Sequence, residues 1–391
     1  MTCMEATAQS LRAGTILEPG DLGWDAARRA FDLAVDQRPA LIALPLDDHD
    51  IAAAVRVARD RGLRVVAQAE GHGAAGAAPL GDAMLLRTTA LAGVEIDARA
   101  YRARVKAGAR WVDVVDRASF LGLAPAAGFT RTAGVVGDVL SGAMGWLSRR
   151  HGLASDGVLA LEFVTADGEA ARIEGDVELP AGSVVTAVEL ALHPADDLYA
   201  GALFFSFERA GEVMHAWNEW TATAPAEITS MARMMRFGAG DDVPALVRGR
   251  AFAIVEAAHL GTQEEAEELL APLRDLVPEL DTFSLVPPSA LGHLHMEPQH
   301  PEARLADDGL VGELPAEAID DLLAVAGPAS QSPLATVELR HASGALETLQ
   351  RGFFTHAAGT PVDAASATAI EAQLALVEAA LAPYGAVAIN P

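Results

Sequence analysis

The chain has 391 residues, and Lys plus Arg total 28 against 54 Asp plus Glu, which gives a formal net charge of −26. A surface this acidic excludes nucleic acid and anionic membranes as partners, so partners should be neutral, cationic or apolar. Among these we expect a small, apolar organic substrate. The length suits two domains, and the hydrophobic content of 51% predicts a globular protein.

The cysteine count and the N-terminal sequence bear on the cellular location. Cys3 is the single cysteine, which excludes an intramolecular disulfide and a zinc site built from thiolates. The first residues lack the basic start and the apolar centre of a signal peptide, and no run of about 18 apolar residues follows. We therefore expect a soluble, cytoplasmic protein.

The first predicted elements form a β-α-β unit. "ALIALP" (40–45) is typical of a buried strand, residues 48–62 have apolar positions at helical spacing, and "RVVAQ" (64–68) predicts a second strand. The glycine-rich stretch "QAEGHGAAG" (68–76) then has the composition of an anion-binding loop. It carries its own carboxylate, Glu70, which a loop that binds an anion does not need.

The N-terminal half continues with short strands and one more helix. Residues 111–121 predict a helix that ends at Gly122, and a long glycine-bearing segment (127–156) follows it. Asp167 and Gly168 predict the turn of a hairpin. The strands of this region are "AMLLR", "GVEID", "YRARVKAG", the two arms of "VLALEFVTADGEAARI", and "SVVTAVELALHP".

After Pro194 the strands become longer and alternate regularly, which predicts an antiparallel sheet with helices between and after its strands. Thr262 and Glu265 form the pattern of a capping box at the start of one such helix. We predict an α+β fold with two domains, residues 1–195 and 196–391, and a ligand site in the cleft between them.

Several polar residues are candidates for chemistry. Glu338 and Arg340 alternate on "ATVELRH", so they share one side of a strand and His341 lies opposite; they line a cavity or form a structural ion pair. Met234 and Met235 are flexible apolar side chains that could line either a core or an apolar pocket. The segment "GHLHMEPQH" has the composition of a metal site, with His293, His295, His300 and Glu297, but a surface loop without metal is the simpler interpretation.

Taken together, the quoted segments resemble the FAD-binding oxidases of the vanillyl-alcohol oxidase/p-cresol methylhydroxylase (PCMH-type) superfamily, near its berberine-bridge-like bacterial branch. The resemblance spans about residues 16 to 385. It implies an N-terminal α+β FAD-type domain and an antiparallel-sheet substrate domain covered by helices. It also implies that backbone N–H groups of the first loop hold the FAD pyrophosphate, that His72 can bond covalently to the flavin, and that the strand with Glu338 lines the substrate cavity. The implied FAD-binding positions are Glu70, Gly71, His72, Gly73, Gly137, Ser141 and Gly142.

Four departures from that family affect the implied flavin site. Glu70 replaces a glycine or a small polar residue, and at about 5 Å a carboxylate repels a phosphate by roughly 3 kcal/mol. Ser141-Gly142-Ala143 replaces three glycines, and "VELPAG" (177–182) replaces a longer glycine-rich segment. The short ending "GAVAINP" (385–391) replaces a strand with tyrosine and asparagine that returns to the flavin site in that family. All four changes fall where the family holds its flavin.

We therefore expect no bound cofactor, or FAD if the family function is retained. The favoured hypothesis is a cofactor-free enzyme of secondary metabolism that cyclises or rearranges a bulky apolar substrate. In this hypothesis Arg340 polarises the substrate, Glu338 orients Arg340 or acts as a base, and Met234, Met235 and His341 contact the substrate. The alternatives are an FAD-dependent oxidoreductase of the berberine-bridge-like type and a binding protein without catalysis.

Overall fold

The computed structural model describes residues 15–77, 79–175, 178–240, 243–349 and 352–389. Contacts divide the chain into two compact units. Among these described residues, unit 1 comprises those up to Gly145, Leu153–Pro194 and Glu297–Glu302, and unit 2 comprises Trp146–Gly152, Ala195–Met296 and those from Ala303 onward. The predicted α+β class is confirmed, because helices and mostly antiparallel sheets occur in both units.

The first sheet of unit 1 has the strand order β1-β2-β4-β3. β2, β4 and β3 are parallel, and β1 is antiparallel to β2. The predicted β-α-β unit is present, but β4 lies between its two strands, which sequence order alone does not reveal. The elements are β1 (Thr15–Leu17), α1 (Trp24–Ala27), β2 (Leu41–Leu44), α2 (Asp48–Asp60), β3 (Arg64–Gln68), α3 (Ala74–Ala77) and β4 (Ala83–Arg87).

Helix α2 covers this sheet because its apolar positions form one stripe. Asp47 caps the helix by accepting a hydrogen bond from the Asp50 N–H at 2.9 Å. Ile51, Val55 and Ala58 are buried, and they pack in one cluster with residues of β2 and β4. The helix thereby fixes the parallel strands, whose carboxyl ends carry the first candidate site.

The second sheet of unit 1 is antiparallel, in the order β5-β6-β10-β8-β9, and β7 pairs separately with β11. Trp111, Val114 and Ala118 of α4 are buried in its core, as the spacing predicts. The elements are β5 (Val94–Asp97), β6 (Arg102–Lys106), α4 (Trp111–Ser119), β7 (Leu123–Ala124), α5 (Val135–Ser141), β8 (Val158–Val164), β9 (Ala170–Glu174), β10 (Val184–Ala191) and β11 (His193–Pro194). Helix α6 (Ser148–His151) belongs to unit 2.

Unit 2 is built on one large sheet in the order β15-β12-β14-β13-β18-β19-β17-β20, with β16 paired to β12. Its strands are β12 (Leu198–Ser206), β13 (Ile228–Arg236), β14 (Ala251–Leu260), β15 (Leu280–Asp281), β16 (Ser284–Leu285), β17 (Leu305–Val311), β18 (Thr336–His341), β19 (Phe353–Gly359) and β20 (Val387–Ala388). Its longer helices are α7 (Ala210–Thr221), α8 (Gln263–Arg274), α10 (Ala316–Ala326) and α11 (Ala364–Leu381), and α9 (Leu291–Leu294) is short.

Strand alternation gives this sheet one apolar face and one charged face. Val337 and Leu339 of β18 belong to the main core cluster of unit 2, together with Trp217 and Trp220 of α7. Thr336, Glu338 and Arg340 therefore point to the other face. The two faces separate the packing residues of the sheet from its polar chemistry.

Helix α11 is unusual in composition. The segment Ala364–Tyr384 is long and apolar enough to cross a membrane by length and composition alone. Ile370, Val377 and Leu381 are nevertheless buried in the core of unit 2, and the helix also carries Glu371 and Glu378. It is thus arranged as an outer helix that packs on a sheet.

Candidate functional site

The first candidate site is the turn Glu70–Gly73, which follows β3 at the carboxyl ends of the parallel strands. Ligands of α/β sheets bind at this end of the strands. Gly71 has φ +83°, and a side chain there would come within 3.2 Å of Ala30. A side chain at Gly73, by contrast, would meet no atom within 4 Å. The turn is packed below at Gly71 and open at Gly73, so its backbone is accessible to a ligand there.

His72 is fixed within this turn by contacts on two sides. Its ring stacks on Phe31 with the centroids 3.8 Å apart, and Nε2 lies 3.2 Å from Oγ1 of Thr132. Phe31 is held in turn, because its N–H donates to the carbonyl oxygen of Glu70 at 2.9 Å. The imidazole is therefore oriented before any ligand binds.

The charge of Glu70 acts on a cation of the neighbouring strand, Arg87. Burial lowers the pKa of Arg87, and the nearby charge of Glu70 acts in the opposite direction and raises it. Arg87 lies directly opposite Gln68 in the register of β3 and β4, and its Nη1 donates to Gln68 Oε1 at 3.1 Å. The guanidinium offsets the repulsion that Glu70 alone would exert on an anion. The signal for Arg87 was present in the sequence as a charged residue that ends the apolar strand "AMLLR".

The second loop of the implied flavin site contains α5. Gly142 ends this helix with φ +71°, in the left-handed conformation that glycine adopts most easily. The Ser141 hydroxyl donates back to the carbonyl oxygen of Asp138 at 3.2 Å, so the added side chain is bonded to its own helix. A side chain at Gly137 would meet no atom within 4 Å, which leaves this part of the helix open.

Asp138 on the same helix is a polar residue that the sequence analysis missed. Its Oδ2 accepts a hydrogen bond from the indole N–H of Trp111 at 2.7 Å. Burial raises the pKa of Asp138 to about 7, and the Trp111 hydrogen bond lowers it in part. A side chain at Gly128 would come within 2.5 Å of Oδ2, so the glycine leaves room for this carboxyl group.

The residues of unit 1 fit the pyrophosphate end of FAD. The accessible glycine turn offers backbone N–H groups, and Arg87 supplies a positive charge beside them. Two departures from the family pattern remain, the segment 177–182 and the chain end. Residues 178–182 lie in a short connection between β9 and β10, where the Ser183 N–H donates to the carbonyl oxygen of Pro180 at 3.1 Å. The chain end forms β20, which pairs with β17. Val177, Asn390 and Pro391 lie outside the described residues.

The second candidate site is a cluster of buried charges on the charged face of the sheet in unit 2. Glu338 lies at its centre, with 1% of its side chain exposed. Its Oε2 accepts from Nε and Nη2 of Arg340 at 3.0 and 2.7 Å, and it lies 3.2 Å from Nε2 of His295. Its Oε1 accepts from the Thr336 hydroxyl at 3.1 Å and lies 3.8 Å from Nη1 of Arg233.

The cluster extends sideways across the strands. Arg233 pairs with Glu256, and Glu256 Oε2 lies 2.8 Å from Nδ1 of His295. On the other side, Nδ1 of His356 lies 2.8 Å from Asp308 Oδ1. Arg233, Glu338, His356 and Asp308 occupy aligned positions on four neighbouring strands, so strand pairing itself creates the row.

Electrostatics keeps Glu338 ionised. Burial alone would raise its pKa, but the charges of His295 and Arg340 hold the pKa well below its ordinary value. The pKa of His295 is raised, since the carboxylates of Glu338 and Glu256 outweigh its burial. A carboxylate with so low a pKa is a weak base, so Glu338 is suited to orienting Arg340. Of these two residues Arg340 is the more accessible, with 15% of its side chain exposed.

The structure separates the other predicted substrate residues. Met234 is fully buried in the core cluster, on the apolar face and away from Glu338 and Arg340. Met235 is on the charged face, packed near Phe252. His341 is on the apolar face as the alternation predicts, where its Nε2 lies 2.8 Å from the Ser343 hydroxyl. Met234 thus does not share a face with the charged pair, and its expected place in one pocket wall with Glu338 and Arg340 is wrong. The substrate contact of His341 stays a prediction.

The histidine-rich segment also differs from its prediction. His295 is not in a surface loop, because only 2% of its side chain is exposed and it bridges two buried carboxylates. Within the described ranges, no group of three or more His, Cys, Asp or Glu is arranged to hold a metal ion. Buried polar residues in the apolar strands "AFAIVEAAHL" and "MARMMRF" were the sequence signal for Glu256, which contacts His295, and for Arg233, which pairs with Glu256.

Comparison with known proteins places the first site in a known family of domains. Residues 39–174 match the family described as FAD binding domain. The (R)-6-hydroxynicotine oxidase of Paenarthrobacter nicotinovorans is 34% identical over 203 residues, which are 49% of this chain and 44% of that protein. The glucooligosaccharide oxidase of Sarocladium strictum is 33% identical over 160 residues, 39% of this chain and 31% of that protein. The matched parts are therefore less than half of either relative.

Solved structures extend the likeness of the fold over nearly the whole chain. The 6-hydroxy-D-nicotine oxidase of Arthrobacter nicotinovorans has a TM-score of 0.76 at 24% identity, and the match covers 98% of this chain and 88% of that one. BBE-like 1 of Physcomitrella patens has a TM-score of 0.75 at 15% identity, with coverage of 97% and 89%. The expected absence of a cofactor gains no support, since the matched family is described as an FAD binding domain.

Proposed function

Because the chain belongs to the PCMH/VAO-type family of FAD-binding oxidoreductases, we propose that it is an FAD-dependent oxidoreductase for a small neutral or cationic organic substrate. The observation that carries this proposal is the turn Glu70–Gly73, which lies inside the matched domain and combines an accessible glycine backbone with the Arg87 guanidinium. Bound FAD would supply an acceptor for a hydride from a carbon next to nitrogen or oxygen.

The residues of unit 1 would hold and shield the cofactor. Backbone N–H groups at Gly71 and Gly73 would bind phosphate oxygens, because a left-handed glycine turn directs successive N–H groups to one side. His72 would contact the flavin from a position already fixed by Phe31 and Thr132. Gly137 of α5 would allow the backbone to approach closely.

In unit 2, the charged cluster would bind the polar group of the substrate. Arg340 presents the planar set of charged donors that an arginine side chain offers, which suits a carbonyl or hydroxyl oxygen of the substrate. Glu338 fixes the guanidinium through two hydrogen bonds to one oxygen. The substrate would be oriented by a charge that does not move, which lowers the reorganisation needed during reaction.

This proposal is tested by incubating the purified chain with FAD, removing the excess by desalting and recording the flavin absorbance. We expect the flavin to remain bound and to be reduced anaerobically by one member of a panel of amines and alcohols. Failure to retain flavin, with no conversion of any substrate, would contradict an enzymatic role of this type.

A cofactor-free cyclisation or rearrangement remains a second candidate, and one observation favours it. The exposed connection at residues 178–182 is short, whereas the family resemblance implies a longer glycine-rich segment beside the flavin. Product formed at the same rate with and without FAD, by a chain free of flavin, would select this candidate.

A further inference from the structure

Arg87 is the starting point, because it is a mostly buried cation with few partners. Its hydrogen bond to Gln68 Oε1 at 3.1 Å is the one that it makes within the described part of the chain. Among the described residues, Glu70 is the carboxylate whose charge acts on Arg87, and Arg87 forms no salt bridge with any of them. A guanidinium has five N–H donors, and burying it without a strong acceptor is costly. Arg87 therefore has spare capacity for an anion.

The unused donors of Arg87 lie directly under the glycine turn. Gln68 Oε1, the acceptor of Arg87, is the atom that a side chain at Gly71 would approach to 3.2 Å. Gln68 is held from its other end, because its Nε2 donates to Gln37 Oε1 at 2.8 Å. Gln68 and Arg87 are each the last residue of a parallel strand, at the end of the sheet where ligands bind.

We infer that Arg87 binds the diphosphate of the cofactor from below the turn, and that Glu70 is the counter-ion of Arg87 while no diphosphate is bound. This inference rests on the proposed function for the identity of the cofactor. It explains why a carboxylate is tolerated in an anion-binding turn: the carboxylate and the anion share one buried cation. Arginine suits this role because its donor plane matches two phosphate oxygens at once.

The test measures binding of three probes to the flavin-free chain by calorimetric titration: FAD, ADP as a diphosphate without flavin, and riboflavin as a flavin without phosphate. Arg87→Gln should weaken FAD and ADP by about tenfold or more, as expected for loss of one charged hydrogen-bonding partner. Riboflavin binding should not change. Arg87→Lys, which keeps the charge, should recover part of the loss.

Arg64→Gln is the matched control, since Arg64 is the first residue of β3 and pairs with Asp82 at the opposite end of the same sheet. It should leave all three affinities unchanged. Glu70→Gln should tighten FAD by about tenfold, less than the roughly hundredfold expected for an uncompensated carboxylate. This variant keeps the test decisive if Arg87→Gln does not fold.

The outcomes separate the two proposals. Equal FAD affinity of Arg87→Gln and the parent chain would overturn the role of Arg87 while leaving the FAD-dependent function intact. Arg87-dependent ADP binding with no FAD binding would uphold the diphosphate site and reject that function. A Glu70→Gln variant with unchanged FAD affinity would overturn the counter-ion role.

Discussion

At the scale of single residues, the division of labour between Glu338 and Arg340 follows from burial. Glu338 is enclosed and surrounded by cations that hold its pKa low, so it remains a carboxylate and accepts hydrogen bonds. Arg340 is bound to it through two donors and keeps part of its guanidinium accessible. The sequence allowed Glu338 to be either an orienting group or a base, and the structure favours the orienting role.

Replacing Arg340 should therefore affect reaction more than folding. Arg340→Gln is expected to lower turnover of the substrate that reduces the flavin by about 10²-fold, a typical loss for one donor that stabilises developing charge. Arg250→Gln is the control, since Arg250 lies just before β14 and forms a salt bridge with Glu279. Steady-state kinetics and circular dichroism of both variants provide the measurement. Unchanged turnover in a folded Arg340→Gln protein would leave the pair as a structural ion pair.

At the scale of elements, strand alternation and helical spacing predicted which side chains share a face, whereas contacts between segments distant in sequence could not be predicted. The strand around Glu338 was assigned to its two faces correctly, and α2 and α4 bury the predicted stripes. The insertion of β4 between β2 and β3 was not predictable from local pattern, because strand order depends on which neighbour completes the sheet. For the same reason Arg87 was missed and the burial of His295 between two carboxylates was not predicted, since both residues acquire their partners from segments distant in sequence.

The apolar face of the unit 2 sheet makes a testable contribution to acid sensitivity. Burial and the charge of Arg149 lower the pKa of His341 to about 3. An unfolded histidine has a pKa of about 6.5, so between these values only the unfolded chain binds the proton. The free energy of unfolding should consequently fall as the pH drops below about 6.5, by up to about 1.4 kcal/mol per pH unit from this group.

Urea unfolding of the parent chain and of His341→Asn, followed between about pH 4 and about pH 7, measures this contribution. Because asparagine does not titrate, the variant should show a shallower pH dependence by that amount. Titration of other groups, His295 among them, is common to both proteins and cancels in the difference. Parallel pH profiles would show that His341 does not carry the effect.

At the scale of the whole molecule, the net charge of −26 is the dominant long-range feature. Such a field attracts cations and is screened over about 10 Å at moderate salt. We propose that it raises the encounter rate of cationic substrates. The value of kcat/KM for an amine substrate should fall several-fold, roughly 3-fold to 10-fold, when salt is raised from about 10 mM to about 200 mM. An uncharged alcohol of similar size serves as the control, and equal salt dependence of both would rule out steering.

The way the chain is shared between its units limits how such a protein is inherited. Glu302, far along the sequence, belongs to unit 1, where its backbone accepts from the Leu33 N–H at 2.9 Å and donates to Phe31 O at 3.2 Å. Trp146–Gly152 is the reverse case, an early segment that belongs to unit 2. A single recombination event near Pro194 would therefore give each half a segment that evolved with a different lineage. A hybrid protein joined at that point would have to re-form both sets of contacts with segments from another parent.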